Sequence, residues 1–390
     1  MNQMQTFIET ETQAERVETV RTLAEAFKRS AAEDDRTGIF PSEKFQKLKK
    51  AGLSILTAPT ANGGGQISLY DFALIEEALG SGDAPTALGF GWHLGVTRDL
   101  SDRSGEWRAE TFNQLMQAIV SDKKMINRAA TEKNTGSPTR GGRPATLAKR
   151  SGQTWIINGR KTFTSLSPIA DYFLVSAAVQ DTDEIGAFLV PRETSGVRFE
   201  KTWHTLGMRA TCSEDMVLDQ VTLDQTAYAE RIGWQDKDHM PPEWLIFIPA
   251  VYLGLALGCR QDALKFAANY IPNSLQDPIA TLPHVQQKFG EIDLELLQAR
   301  HLMYGTARRW DRAEREERKE MGPDFQAVKY AATHAAIHTV QLSMEIVGGQ
   351  SLYQSLPFER YYRDVCAGLF NPPSNDGIFA ALGRRAVEAD

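Results

Sequence analysis

Apolar residues change their spacing twice along the chain. Up to about residue 120 they recur at helical intervals, as Phe72, Ile75 and Leu79 do. Pro41 and Ser42 open one helical segment that closes near Gly52. A second begins at Ser68-Leu69-Tyr70-Asp71, where Ser68 can cap the first turn and Asp71 can reach back to complete a capping box. Gly80 supplies its stop. Residues 92 to 120 read as helical again.

From about 125 to 225 the period shortens. Trp155-Ile156-Ile157 runs into Asn158-Gly159, a dipeptide that favours a two-residue hairpin turn because both positions tolerate positive φ. Tyr172 to Val179, Ala187 to Val190 and Met216 to Val221 are further short apolar runs between polar or Gly/Pro turns. Strands at this spacing predict an antiparallel sandwich or barrel. From about 242 long helices return, over 250–270, 285–318 with an interruption, and 325–347, and a fourth follows near the end. Four such helices predict a bundle. The mixed-charge run Arg308 to Lys319 reads as a solvated helix face.

Composition narrows the classes. The 390 residues are 42% hydrophobic and 24% charged, enough to bury a core without covalent staples. At one domain per roughly 150 residues, two or three domains are expected. Lys and Arg number 43 against 50 Asp and Glu, and the net charge of −7 argues against a nucleic-acid-binding surface. Cys212, Cys259 and Cys366 lie far apart, form no disulfide framework or zinc site, and suit a reducing compartment. The polar, acidic start is unlike a signal peptide. No run reaches the roughly 18 apolar residues that cross a bilayer. A cytoplasmic protein without a membrane span is the expectation.

Familiar chemical motifs are mostly missing. Gly63-Gly64-Gly65 and Gly80-Ser81-Gly82 both break the dinucleotide fingerprint and read as turns. There is no Walker A sequence and no nucleophile elbow. His334 and His338 stand four apart on a predicted helix, yet a metal would need further ligands, and no metal is assigned. Three segments stand out from generic packing: Ala130-Thr131-Glu132-Lys133-Asn134-Thr135-Gly136-Ser137; Asn158-Gly159-Arg160-Lys161-Thr162-Phe163-Thr164-Ser165; and Ile346-Val347-Gly348-Gly349-Gln350, followed by Glu359-Arg360-Tyr361-Tyr362-Arg363-Asp364.

In this order and spacing, with Phe40-Pro41 before Gly52-Leu53, the Gly63-Gly64 turn and Leu206-Gly207-Met208-Arg209-Ala210 before Met216 to Val221, the segments resemble the acyl-CoA dehydrogenase family over essentially the whole chain. The resemblance implies an α+β, mainly α fold: an N-terminal helical domain (1–122), a middle antiparallel β-domain (123–238) and a C-terminal four-helix bundle (239–390). It implies FAD between β-domain and bundle, an acyl-CoA substrate, electron-transfer flavoprotein as acceptor, and a homotetramer or homodimer. By the same resemblance Ala129, Thr131, Gly136 and Ser137 line the flavin, with Ser137 also at the acyl-CoA mouth. Phe163 packs its ring on the flavin while Thr164 and Ser165 bond near N5, contacts that tune the cofactor. Gly348 and Gly349 approach a neighbouring subunit's cofactor, and Arg209 contacts substrate.

The chain departs from the family where the chemistry starts. Relatives take the α-proton with a Glu shortly after the Arg-Asp pair. Counting from Arg363-Asp364 without a gap puts Pro372 there, which has neither a carboxylate nor an N–H. A four-residue insertion puts Asp376-Gly377 on the family's Glu-Gly, which makes Asp376 the candidate catalytic base. Trp244 stands at the base position other relatives use, beside Glu243. Near Tyr270-Ile271 the family's FAD-contacting Arg is missing, and Glu345 replaces the Gln before the GG turn. Three readings follow: an acyl-CoA dehydrogenase using Asp376; a monooxygenase using reduced flavin and oxygen, with His93 either facing the flavin or packed in its helix; and a non-catalytic flavin- or acyl-CoA-binding subunit.

Overall fold

The computed structural model describes residues 7–103, 107–136, 142–232 and 240–388. Six helices come first: α1 (Glu11–Lys28), α2 (Ala31–Thr37), α3 (Ser42–Lys50), α4 (Leu69–Gly80), α5 (Ala84–Asp102) and α6 (Ala109–Val120). Ser68 caps α4, its Oγ accepting from the Asp71 N–H at 2.9 Å. The capping box is not completed. Asp71 accepts instead from Gln13 (2.8 Å) and Arg16 (2.9 Å) on α1. The remaining free N–H groups of α4, at Leu69 and Tyr70, donate to the Asp311 carboxylate at 2.8 and 3.0 Å.

Eight strands follow: β1 (Ile126–Ala129), β2 (Leu147–Ser151), β3 (Thr154–Thr164), β4 (Tyr172–Val179), β5 (Ile185–Pro191), β6 (Val197–Glu200), β7 (Glu214–Asp224) and β8 (Tyr228–Arg231). They form one sheet in the order β6-β7-β3-β2-β4-β5-β8, with β1 beside β4. The sheet is mixed, not antiparallel throughout, because β1 and β2 both run parallel to β4. Asn158-Gly159 makes no hairpin turn. It lies inside β3, where Asn158 pairs with Leu147 and the register against β7 slips by a bulge. The Asn158 side-chain Oδ1 accepts from the Gln220 N–H at 2.8 Å, so the residue serves the ladder's irregularity. The hairpin between β2 and β3 turns at Gly152, φ +60°.

The C-terminal helices are α7 (Phe247–Asn269), α8 (Pro283–Arg312), α9 (Arg315–Glu320), α10 (Gly322–Val347), α11 (Phe358–Val365) and α12 (Asn375–Glu388). Helices α7, α8 and α10 pack together; the fourth position is shared by α11, against α7 and α10, and α12, against α10. The segment Glu243–Asn269 is long and apolar enough to cross a membrane, contrary to the sequence expectation, but 89% of its most apolar window is buried inside the fold. The run Arg308 to Lys319 is only partly a solvated face. Trp310 is buried, and Asp311 accepts from the first N–H groups of α4.

Glycine lets α4 and α7 cross closely. A Cβ at Gly80 would stand 2.6 Å from the Val251 carbonyl oxygen, and one at Gly254 would stand 2.2 Å from that of Glu77. Gly80 therefore marks the crossing of α4 and α7, not a left-handed helix stop. Beside it, Glu77 accepts from the buried Arg300 at 2.7 and 2.8 Å and from the Tyr304 hydroxyl at 2.9 Å, tying α4 to α8.

Candidate flavin site at the junction of sheet and bundle

The end of β1 and the loop after it are pinned from behind. Ala129 is buried on β1, and Glu132 and Gly136 exchange N–H···O bonds of 2.9 Å, with Gly136 at φ +70°. The Glu132 carboxylate accepts from Lys161 Nζ (2.6 Å), the Thr135 hydroxyl (2.8 Å), the Ala145 N–H (2.7 Å) and the Thr146 N–H (3.1 Å). Burial opposes its charge, but the Lys161 ammonium and the hydrogen bonds outweigh that and hold the carboxyl down at about 2. Burial pushes Lys161 down to about 8, against the pull of Glu132. The Thr162 N–H donates to the Thr131 carbonyl at 2.9 Å, so the first two segments meet at one edge. Ser137 lies outside the described residues.

That edge ends in strained backbone. Phe163 has φ +55°, a conformation unusual for an aromatic residue, and its side chain is 60% exposed. Its ring meets Trp203 edge-on at 5.7 Å. Thr164 is fully buried, and its Oγ1 has no hydrogen-bond partner among the described residues. Ser165 starts a hydroxyl chain: its Oγ lies 2.8 Å from Ser213 Oγ, which lies 3.0 Å from Thr211 Oγ1, which donates to the Met208 carbonyl at 2.9 Å. Asn127 donates to the Ser165 carbonyl at 2.7 Å. Ser213, Thr211, Asn127 and Trp203 escaped sequence reasoning, since only the fold makes them neighbours of Phe163 and Ser165.

The other wall belongs to the bundle. The Met208 N–H donates to Asp364 at 2.5 Å, and Arg363 donates to the Leu206 carbonyl at 3.1 Å. At Gly207 a Cβ would stand 2.2 Å from the Arg363 carbonyl oxygen, so this string lies flat on α11. Burial lifts the Asp364 carboxyl to about 7, with the Met208 N–H working the other way. Arg209 is turned toward α2, donating to the Asp35 carbonyl at 2.8 Å, while the Asp35 carboxylate pairs with Arg363 at 2.6 Å.

The remaining candidates lie elsewhere. Gly348 ends α10 at φ +69°, ψ −153°, a conformation essentially confined to glycine, with open space beside it and beside Gly349. Asp376 is exposed in the first turn of α12. The loop between Leu369 and α12 reads Phe370-Asn371-Pro372-Pro373-Ser374. His93 is fully buried. Its Nδ1 accepts from the Ile126 N–H at 3.2 Å and its Nε2 meets the Ser54 carbonyl at 2.9 Å, while burial lowers its pKa to about 4. It is a neutral packing histidine. Glu243 is buried 3.4 Å from Arg98, and burial raises it to about 8 despite that cation.

Residues 10–106, 127–221 and 246–370 match the N-terminal, middle and C-terminal domains described for acyl-CoA dehydrogenases. The Bacillus subtilis (strain 168) protein YdbM, named provisionally as an acyl-CoA dehydrogenase, is 45% identical over 386 residues, 99% of this chain and 100% of the relative. The chain belongs to the acyl-CoA dehydrogenase family. Its members are flavin oxidoreductases or oxygenases. The L-evernosamine nitrososynthase of Micromonospora sp. is 29% identical, over 88% of this chain and 82% of its own. Among solved structures, KijD3 in complex with FMN and dTDP-3-amino-2,3,6-trideoxy-4-keto-3-methyl-D-glucose has a TM-score of 0.86 at 25% identity, covering 98% of this chain and 95% of that one.

A flavin ring fits the residues present. Phe163 offers an exposed aromatic face on backbone that costs energy to hold, as functional sites often do. The buried Thr164 hydroxyl needs a partner, because a buried polar group left unpaired costs about 1–3 kcal/mol. Glu345 is tied to Lys288 as an ion pair.

Proposed function

We propose that this protein is a flavin-dependent oxygenase that uses reduced FMN and dioxygen on a small substrate. The observation that carries the reading is the loop Phe370-Asn371-Pro372-Pro373-Ser374, which holds no carboxylate where the family's α-proton base stands. The nitrososynthase relative and the FMN-bound KijD3 support it.

Phe163, Thr164, Ser165, Thr131 and Gly136 would hold the flavin. When bound, reduced flavin supplies the electrons that activate dioxygen. The chain's own work is positioning. Asn127 and the Ser165–Ser213–Thr211 hydroxyl chain fix the backbone that presents Phe163. Glu132 and Lys161 hold the loop of Thr131 and Gly136 from behind. His93 stays neutral and braces the start of β1.

The test supplies FMN, FAD and an external reductant under isotopically labelled oxygen, with amine, thioether and aromatic substrates. Label entering one product class, with FMN preferred, is the expected result. Flavin reoxidation without labelled product in every class would overturn the reading.

A second reading rests on Asp376. Unlike Pro372 it keeps a carboxylate and a backbone N–H, and Gly377 follows it as Gly follows Glu in the family. In that case the reaction is α,β-dehydrogenation of an acyl-CoA with FAD, Asp376 taking the α-proton and electron-transfer flavoprotein accepting the electrons. Anaerobic bleaching of the flavin by an acyl-CoA, lost in Asp376→Asn with flavin content intact, would replace the first reading with this one.

A further inference from the structure

Three lysines are buried among the described residues, and two of them have carboxylates. Lys44 pairs with Asp34 (2.6 Å) and with Asp83, and Lys161 pairs with Glu132 (2.6 Å). Lys329 on α10 is only 2% exposed, yet among the described residues no carboxylate lies within ion-pair distance of it. Its Nζ meets a neutral amide instead, Asn375 Oδ1 at 3.5 Å. A buried charge without an anion weakens a fold, so stability does not account for this lysine. Its place does. Asn375 opens α12 and lies between Pro372 and Asp376, the two positions at which the family's base would fall. The same loop is pinned at its other end. A Cβ at Gly368 would stand 3.2 Å from Thr333 Cγ2, one turn on from Lys329, and 3.3 Å from the Tyr252 ring. The Tyr252 hydroxyl accepts from Asn371 Nδ2 at 2.8 Å. The titratable groups on the elements packed against α10 are Asp376 on α12, Asp364 on α11, Cys366 after it, Tyr252 on α7, Glu243 before α7 and Arg309 on α8. None of them pairs with Lys329, and burial alone lowers its amine to about 8. An amine in that range is matched to proton transfer near neutral pH.

We propose that Lys329 is the proton acceptor of the flavin reaction, in place of the carboxylate that the loop of Pro372 lacks, and that the substrate is a phenol or a protonated amine rather than a thioether. The proposal rests on the oxygenase reading, in which the substrate atom that takes up oxygen must be electron-rich. A phenol or an ammonium reaches that state by losing a proton, whereas a thioether has none to lose. In the step, the substrate's O–H or N–H bond breaks and its electron pair stays on the oxygen or nitrogen. The proton adds to the neutral Lys329 Nζ, which becomes an ammonium and returns the proton to solvent after turnover.

The experiment adds 4-nitrophenol, whose phenolate is coloured, to the full-length protein loaded with oxidised flavin and kept without oxygen. At a pH where the free probe is mostly protonated, the bound probe should appear as phenolate in the parent. Lys329→Met should show at least tenfold less phenolate per bound probe. Labelled-oxygen transfer to a phenol or amine should rise with pH through about 8 in the parent, as the lysine becomes neutral. In Lys329→Met it should fall at least hundredfold, lose that rise and recover in part with added methylamine. Methionine replaces a buried charge with an apolar chain of similar length, so an unchanged or raised melting temperature and unchanged flavin content are expected. Phenolate in the parent and not in the variant, without labelled product from either, would support Lys329 as proton acceptor and overturn the oxygenase reading alone. The proposal itself is overturned by no phenolate in the parent, by equal phenolate in parent and variant, or by a lowered melting temperature with a loss of activity that methylamine does not restore.

Discussion

The α4–α7 crossing and the tip of β3 are built on opposite principles. At the crossing, Gly80 and Gly254 bring two backbones into contact among buried apolar neighbours, and the charged pair there, Glu77 and Arg300, is fully enclosed. At the tip, an aromatic side chain is exposed on left-handed backbone, a threonine hydroxyl is buried without a partner among the described residues, and hydroxyls are chained one to the next. The first region pairs Glu77 with Arg300, although the neighbouring Glu76 is buried with neither carboxylate oxygen partnered among the described residues, and burial raises its carboxyl well above the ordinary value. The second holds strain and unmet hydrogen-bonding capacity, which points to a ligand.

The comparison breaks most easily at Glu132. Replacing it with Ala leaves Lys161 buried without its carboxylate and should cost about 3–5 kcal/mol, read as a fall in denaturant midpoint. The parent's acid limb carries the same signature. A carboxyl lowered from 4.5 to about 2 stabilises the fold above pH 4.5, and that contribution is lost as pH falls through about 2. The stability gap between the parent and Glu132→Gln should therefore close across that window.

Gly254→Ala attacks the other region. Its Cβ would overlap the Glu77 carbonyl, and helix separation should cost about 1–3 kcal/mol with flavin affinity changed only through the loss of folded protein. Phe163→Gly should do the reverse. Relief of the positive φ keeps stability within about 1 kcal/mol of the parent, while flavin affinity, measured by fluorescence quenching, falls at least tenfold. Loss of stability without loss of flavin would remove the tip from the site. The smallest effect is expected at Gly305, an exposed position on α8 with open space around it. Gly305→Ala should stabilise by about 0.5–1 kcal/mol in thermal melts.

How much of this the sequence carried differs between the same two regions. The change from helical to alternating and back to helical spacing located the strands Tyr172–Val179 and the long helices closely. Asn158-Gly159 misled because its turn preference is local, whereas the bulge it serves is set by a partner on β7. Ser68 caps α4 as its sequence suggested, but Asp311, over 240 residues away, takes the next two N–H groups, which no local pattern reveals. At the site, Phe163, Thr164 and Ser165 were legible as a string. Asn127, Trp203 and Ser213 join it only across strands and loops.

The most direct test of the central claim exposes the flavin-loaded protein, without oxygen, to a panel of acyl-CoA thioesters while its visible absorbance is followed. With no carboxylate in the loop of Pro372, the flavin should stay oxidised throughout the panel, and the same preparation, once reduced, should transfer labelled oxygen to a substrate. Rapid bleaching by one thioester would contradict the account and return Asp376 to the centre of the mechanism.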